Sequence, residues 1–379
     1  MFDVCVVGAG FSGSVIAERF ASQSHLKVLV LETRDHIGGN AYDYLNQDGI
    51  RVSKYGAHLW HTSRQDVWDY VNQFGEWIPW EHRVLARLED NTHVPIPICL
   101  GSFRALNLGN TVDEMRDWLD KETSGYREKP IENSQDVALA RVGFFLYEKF
   151  FRHYTIKQWA KDPVLLGKSV LERIPVRYSE DDRYFSDIYQ ALPKNGYTEI
   201  FQNMLKQDGI TVKTGVDYFA EEHTLRNIET VIFTGPIDRY YSFSGLDKLE
   251  YRSIRFEDDF VELENPTDYV LPASVVNEPS PNIPYTRTVE HKRFLNQVGY
   301  VSQLTREYTT SEGDPYYPVP NPRNQLLYES YREMARRETE RQRRQVIFLG
   351  RLAGYKYMNM DQAVGAALDT YLEMRPQKI

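Results

Sequence analysis

The chain opens with Phe2-Asp3-Val4-Cys5-Val6-Val7-Gly8-Ala9-Gly10-Phe11-Ser12-Gly13, and the architecture follows from how these residues are read. A short apolar run ending in glycine reads as a buried parallel strand. Helical periodicity takes over at 14–20, so the order is strand, glycine turn, helix. Gly8 permits the tight turn, Gly10 lets a pyrophosphate approach the backbone, and Gly13 lets the helix pack close to the strand. Phe11 and Ser12 stand between them at the helix N-terminus, where free N–H groups and the helix dipole favour an anion. GxGxxG alone is a weak signal. Here a second apolar run, 27–31, delivers Glu32 nineteen residues after Gly13, with Thr33 beside it. A carboxylate there can accept the ribose hydroxyls of an adenosine.

Arg34-Asp35-His36-Ile37-Gly38-Gly39-Asn40 follows as an RxxxGG arrangement. Set after the acidic residue, it resembles FAD enzymes of the glutathione-reductase and amine-oxidase type and favours FAD over NAD; a plain glycine turn is the alternative. No second GxGxxG occurs later in the chain, so a second, tightly held nicotinamide dinucleotide is not expected.

Working outward, 379 residues with 41% hydrophobic side chains are enough for two or three packed lobes and exclude a peptide ligand or a disordered tail. The net charge is −9 and the pI near 5.6. Such a surface repels phosphate backbones and anionic lipid, so neither nucleic acid nor membrane is an expected partner, and any bound phosphate must be gripped locally. Cys5 and Cys99 cannot build a disulfide framework, and no Cys/His cluster has metal-ligand spacing, so no metal is expected. No apolar run approaches the roughly 18 residues of a membrane helix, and the N-terminus lacks a signal-peptide layout. The expectation is a cytoplasmic protein.

The pattern over 111–159 is helical, with Val137, Ala140, Val142, Phe145, Leu146 and Phe150 as its apolar face. Over 249–308 it changes to short aromatic and β-branched runs broken by Pro and Asn, which is sheet-like. Residues 200–205 read as helix, and 210–214, 229–235 and 346–351 as strands extending the first sheet. The predicted fold class is therefore α/β. A Rossmann-like FAD-binding domain comes from 1–75, 196–243 and 343–379, and a helical domain, which the resemblance given below makes the substrate domain with a mobile loop, from 100–185. An antiparallel sheet domain comes from 76–99, 186–195 and 244–342. Residues 328–344 read as a solvated, ion-paired helix. Asn359 and Gln362 resemble a capping box, so a last helix starts with Met360, Asp361 and Gln362. Set against an isoalloxazine, that terminus would stabilise a reduced flavin's negative charge; ordinary capping is the alternative.

Further motifs are specific. They are Lys54-Tyr55-Gly56-Ala57-His58-Leu59-Trp60-His61-Thr62, Tyr154-Thr155-Ile156-Lys157-Gln158-Trp159, Arg173-Ile174-Pro175-Val176-Arg177, Tyr184-Phe185-Ser186-Asp187, Leu192-Pro193-Lys194-Asn195-Gly196-Tyr197-Thr198, Pro284-Tyr285-Thr286-Arg287, Glu290-His291-Lys292, Gly313-Asp314-Pro315-Tyr316-Tyr317-Pro318 and Gly350-Arg351-Leu352-Ala353 with Tyr355 and Tyr357. Through these, over almost its whole length, the chain resembles the UDP-galactopyranose mutase family. The resemblance implies an isomerase that interconverts UDP-galactopyranose and UDP-galactofuranose. It also implies FAD that is active when reduced and forms an N5–sugar adduct, with NAD(P)H as a visiting reductant; a homodimer is a further expectation.

The same resemblance assigns residues. Arg173, on a loop at about 160–176 that closes over substrate, and Arg287 would clamp the diphosphate, as planar guanidinium groups suit. Tyr154 would stack on uracil with Thr155 beside it, and Trp159 would reach the sugar. Tyr184, Tyr317 and Tyr357 would contact diphosphate or sugar, Phe185 and Asn277 the uridine, and Glu307 the sugar's surroundings. His58, Leu59 and the catalytic candidate His61 fall on the flavin-side loop, and Arg351 would meet the FAD pyrophosphate or flavin. Departures put the sugar in doubt. Met358-Asn359 removes a carboxylate usual in the family, Ala160 replaces a glycine, and His82-Arg83 replaces a small polar pair. UDP-N-acetylgalactosamine or another nucleotide hexose is thus an alternative substrate. The rival readings are a flavin oxidase of the amine-oxidase type and a non-catalytic nucleotide-sugar-binding protein.

Overall fold

The computed structural model describes residues 1–172, 175–341 and 344–374. A five-stranded parallel sheet runs in the order Ile210–Thr214, Val28–Glu32, Val4–Val7, Thr230–Phe233 and Gln345–Phe348. The strands of 4–7 and 28–32 are buried almost throughout because helices cover both faces, which is why they read as unbroken Val/Leu runs. On one face, helix Phe11–Ser24 packs with helix Met360–Met374, where Phe20 meets Tyr371 at 5.6 Å between ring centroids. On the other, Tyr218, Phe233, Tyr240, Tyr241 and Tyr331 form an aromatic core beneath helix Pro322–Arg341. That helix carries the expected short-range ion pairs, such as Arg336 with Glu333. The central strand ends at the glycine turn, with neighbours reached by crossovers in opposite directions, and such a switch point is where open parallel sheets place their ligands.

A seven-stranded sheet forms the second layer, ordered Tyr317–Pro318, Tyr251–Glu262, Val301–Thr310, Arg287–Glu290, Val275–Asn277, Val84–Arg87 and His93–Ile96. Its ladders are antiparallel except one: Val275–Asn277 runs parallel to Val84–Arg87, because distant chain segments rather than a hairpin bring them together. Register sets one row across this sheet. Phe256 opposes Glu307, Glu307 opposes Arg287, Arg287 opposes Asn277, and Asn277 lies beside Ala86. Directly opposed residues share a face, so Glu307, Arg287 and Asn277 project to the same side.

The third part is a helical lobe. Thr111 and Asn133 cap helices Val112–Arg127 and Ser134–Leu146 with reciprocal capping boxes. The expected apolar face is interrupted at Gly143, whose φ of 74° and ψ of 176° are not helical. Phe145, expected on the buried face, is consequently 40% exposed. The chain then winds through a π-helical turn, Tyr147–Arg152, before resuming as helix His153–Trp159. Gly143→Ala combines a glycine-only backbone conformation, worth about 1–3 kcal/mol, with a Cβ that would stand 2.7 Å from Glu122 Cβ. Urea unfolding should show a loss of at least that size; an unchanged midpoint would contradict the kink.

Candidate active-site cleft

The phosphate end is built from backbone. A Cβ at Gly13 would lie 1.9 Å from the Gly8 carbonyl oxygen, and one at Gly39 would lie 2.9 Å from Gly10 Cα. The two glycine loops therefore touch as main chain, joined by the Gly38 N–H donating to the Ala9 carbonyl at 2.8 Å. Helix Phe11–Ser24 begins at Gly10 with no side chain capping it, which leaves its first N–H groups to an anion. Glu32, 8% exposed, accepts from the Ala9 N–H at 2.8 Å and the Arg34 N–H at 2.9 Å, fixing a carboxylate beside that terminus. Thr33 is exposed beyond it, and Asn40 lies in the turn Gly39–Ala41. An uncapped helix end, glycine backbone and an oriented carboxylate fit a dinucleotide.

The cross-strand row supplies the charge. Arg287 Nε donates to Glu307 Oε2 at 2.6 Å; the arginine side chain keeps 27% of its surface open, and the glutamate 1%. Burial pulls the Arg287 pKa down, but Glu307, helped by Tyr154 and Tyr317, outweighs it and holds the guanidinium charged. Glu307 Oε1 is buried without a partner and lies 2.9 Å from where a Cβ of Gly56 would stand, so the 55–58 segment roofs this end of the row. Asn277, half-buried, completes it.

Aromatic side chains close round the guanidinium. Tyr317 and Tyr357 stack at 5.9 Å with 14° between planes, and the Arg351 guanidinium lies 5.5 and 5.3 Å from their centroids. Arg351 donates from Nε to the Met358 carbonyl at 3.0 Å, so in this structure it braces the 357–358 turn and faces the tyrosine pair. Trp159, 3% exposed, meets Tyr317 at 6.3 Å, and its indole N–H has no partner. Thr155 is buried on the same helix, with Tyr154 half-buried beside it and coupled electrostatically to Arg287.

The histidines divide. His58 Nδ1 donates to the Gly56 carbonyl at 2.8 Å, which leaves Nε2 with a lone pair; desolvation, reinforced by Arg351 and Arg287, lowers its pKa to about 4. Leu59 is half-buried next to it. His61 stacks on Phe185, with centroids 3.7 Å apart and 12° between planes, and donates from Nδ1 to Asp187 Oδ2 at 2.7 Å. That hydrogen bond, opposed by burial, keeps the Asp187 carboxyl below its ordinary range. Tyr184 packs edge-on to Phe185 at 5.1 Å. Met360, Asp361 and Gln362 form the first turn of the last helix; Gln362 accepts from the Asn359 N–H at 3.0 Å, as expected of a cap. Burial raises the Asp361 pKa, and its Oδ1 is unpartnered.

The structure thus gathers Glu307, Arg287, Tyr154, Trp159, Tyr317, Tyr357 and Arg351 into one cleft, with His58 at its roof. Phe185, Tyr184 and His61 form a neighbouring stack. Arg173 lies outside the described residues. The loop segment before it is packed rather than open: Val170 and Leu171 are buried in the helical lobe, and the Gly167 N–H donates to the Pro320 carbonyl at 2.9 Å. Sequence reasoning missed three side chains. Asp187 pairs with His61. His82, 3% exposed, is held neutral near pKa 3 by burial, Arg287 and His61. Lys157 is embedded among backbone carbonyls. Backbone acceptors leave no signal in sequence, so spacing could not reveal Lys157.

Comparison with known proteins follows this geometry. Residues 149–357 match the family described as UDP-galactopyranose mutase. The chain belongs to the UDP-galactopyranose mutase family. It is accordingly an isomerase of that family. Residues 6–74 match the family described as an NAD(P)-binding Rossmann-like domain. A probable UDP-galactopyranose mutase of Klebsiella pneumoniae is 34% identical, covering 97% of this chain and 93% of its own. A dTDP-fucopyranose mutase of Escherichia coli is 33% identical, with 97% of each chain covered. The crystal structure of a reduced UDP-galactopyranose mutase shares the fold with a TM-score of 0.75, at 17% identity over 98% of this chain and 93% of that one. A flavin-containing amine oxidase A of Canis lupus familiaris is 38% identical over only 17% of this chain.

The buried histidines give a pH prediction. His291 is fully buried and held at about 4 by desolvation, against 6.5 when exposed. The unfolded chain takes up that proton first, so as pH falls from 6.5 to 4 each such histidine removes about 1.4 kcal/mol of stability per unit. His291→Gln should therefore show a shallower fall in urea midpoint between pH 6.5 and 4 than wild type. Equal slopes would mean His291 is charged when folded.

Proposed function

We propose that the protein interconverts UDP-galactopyranose and UDP-galactofuranose, with FAD on the glycine cradle and the sugar nucleotide spanning the Arg287 row. The observation that carries this reading is the Asn277–Arg287–Glu307 register, with the Arg287 guanidinium held charged by Glu307 and within electrostatic reach of Tyr154 and Tyr317. FAD would rest on Gly8, Gly10, Gly13, Gly38 and Gly39, with Glu32 at the ribose. When bound and reduced, the flavin would supply a nucleophile for the anomeric carbon, with no net consumption of electrons.

The chain's own residues do the rest. Arg287, steered by Glu307 through Nε, binds the diphosphate and offsets the charge that builds as UDP departs. Arg173 is proposed as its partner in that clamp. Tyr154 offers a flat face to uracil, and Trp159 an unpaired N–H toward the sugar. Neutral His58 holds a lone pair at Nε2 and can accept a hydrogen bond in the cleft without adding charge to it. His61 and Phe185 wall the cleft as a stacked pair whose orientation Asp187 fixes. NAD(P)H as the external reductant, a cytoplasmic location and a homodimer complete the proposal; the charge of −9 supports the exclusion of nucleic acid and anionic membrane as partners. Among the described residues, no helix is long and apolar enough to cross a membrane.

A second reading, another nucleotide sugar as substrate, is favoured by the Escherichia coli relative and by Met358-Asn359 beside Tyr357. Dithionite-reduced enzyme offered UDP-galactose, UDP-N-acetylgalactosamine and dTDP-fucose in parallel, with products separated by HPLC, decides between them. The expected outcome is furanose formation from UDP-galactose by reduced enzyme and none by oxidised enzyme, with no sugar-dependent oxygen uptake when oxidised enzyme is assayed in air without dithionite. Turnover of only another sugar, or stoichiometric oxygen uptake, would overturn the assignment. Arg287→Ala and Arg173→Ala should each lower kcat/KM by about 10²–10³-fold, as loss of a charge-stabilising donor does.

A further inference from the structure

Lys157 lies on helix His153–Trp159, one helical turn from Tyr154 and therefore on its side of the helix. Its ammonium enters the loop joining strand Val275–Asn277 to strand Arg287–Glu290. There Nζ lies within hydrogen-bond reach of four carbonyls, those of Ser280, Ile283 and Tyr285, each at 3.0 Å, and that of Glu278, which share its three N–H groups. The loop's ends carry Asn277 and Arg287. The backbone at the same position is held too: the Thr309 hydroxyl donates to the Lys157 carbonyl, and Arg252 Nε donates to the Gln158 carbonyl at 3.0 Å. Thr309 shares its strand with Glu307.

We infer that Lys157 is a positioning residue, a cationic joint that sets the aromatic uridine-side helix at a fixed separation from Arg287. The chemistry fits nothing looser. Buried carbonyls left without a donor are costly, and an ammonium, with its hydrogens around one centre, satisfies several converging oxygens where a planar guanidinium cannot. Glu278 supplies the counter-charge to it and also pairs with Arg87 at 2.8 Å. Because Tyr154 and Arg287 grip opposite ends of a nucleoside diphosphate, an error in their separation weakens its binding while leaving the flavin cradle untouched. The inference rests on the nucleoside-diphosphate reading above.

The test is calorimetric titration of UDP into the flavin-loaded wild type, Lys157→Met and Lys157→Arg, with kcat, KM, flavin spectrum and thermal midpoint measured on each. Lys157→Met should weaken UDP about tenfold or more and raise KM in step. Its saturated kcat should stay within about twofold and its flavin spectrum should not change; Lys157→Arg, which keeps the charge, should fall between. A folded Lys157→Met that binds UDP as wild type does, or that loses only kcat, overturns the inference. If Lys157→Met does not fold, Thr309→Val decides, since a severalfold weaker UDP affinity is expected and an unchanged one refutes. Wild type that binds no UDP refutes the underlying reading and the joint with it, whereas tight wild-type binding with unaltered variants refutes the joint alone.

Discussion

Glu307 holds Arg287 at the floor of the cleft, and the remaining geometry is arranged round that contact. Taking a carboxylate and a guanidinium out of water costs several kcal/mol per ion, returned only when geometry is close and other donors and acceptors are satisfied. Here the pair sits on directly opposed residues of two strands, so the sheet's own hydrogen bonds fix its geometry before any ligand arrives. One oxygen of Glu307 remains unpartnered. The pair is therefore organised for binding more than for stability, and the acidic chain keeps a local positive charge without a basic surface.

The first forty residues could be read directly because a phosphate-binding turn is contiguous: strand, glycines and helix follow one another, and each glycine has a local reason. Glu32 could be placed because its strand is the next element. The seven-stranded sheet is different. Asn277, Arg287 and Glu307 have unremarkable spacing, and only the pairing register makes them neighbours. They could be named in advance through family motifs alone, not through periodicity. The parallel pairing of Val275–Asn277 with Val84–Arg87 left no trace, since no turn joins the two strands. Phe145 leaves the buried face for a local reason: periodicity presumes an unbroken helix, and Gly143 breaks it. The motif that contains Lys157 gives it no role, because its partners are carbonyls that any residue could supply.

Charge and stacking divide the work between the two sides of the cleft. On the sheet side, a guanidinium is fixed by a carboxylate. On the helix side, Tyr154 and Trp159 offer surface and a single N–H. The two walls therefore differ in chemistry, one charged and the other aromatic. Arg351 is a second guanidinium beside this cluster. It braces the turn carrying Tyr357 and lies against the stacked tyrosines, where a cation gains from the ring faces.

The π-helical turn Tyr147–Arg152 has a consequence for how this lobe tolerates change. A wide turn accommodates one extra residue, and each residue in a regular helix advances the phase by about 100°. Leu146 just before the turn, and Tyr147, Phe150 and Phe151 within it, are committed to the lobe's interior, as is Trp159 on the helix that follows. Because the wide turn takes up its surplus residue locally, removing that one residue would close it to an ordinary helical turn and leave the helix beyond in phase, whereas a deletion within His153–Trp159 would rotate the side chains beyond it by about 100°. The lobe can thus gain or lose one residue at this turn more readily than within the regular helices on either side of it.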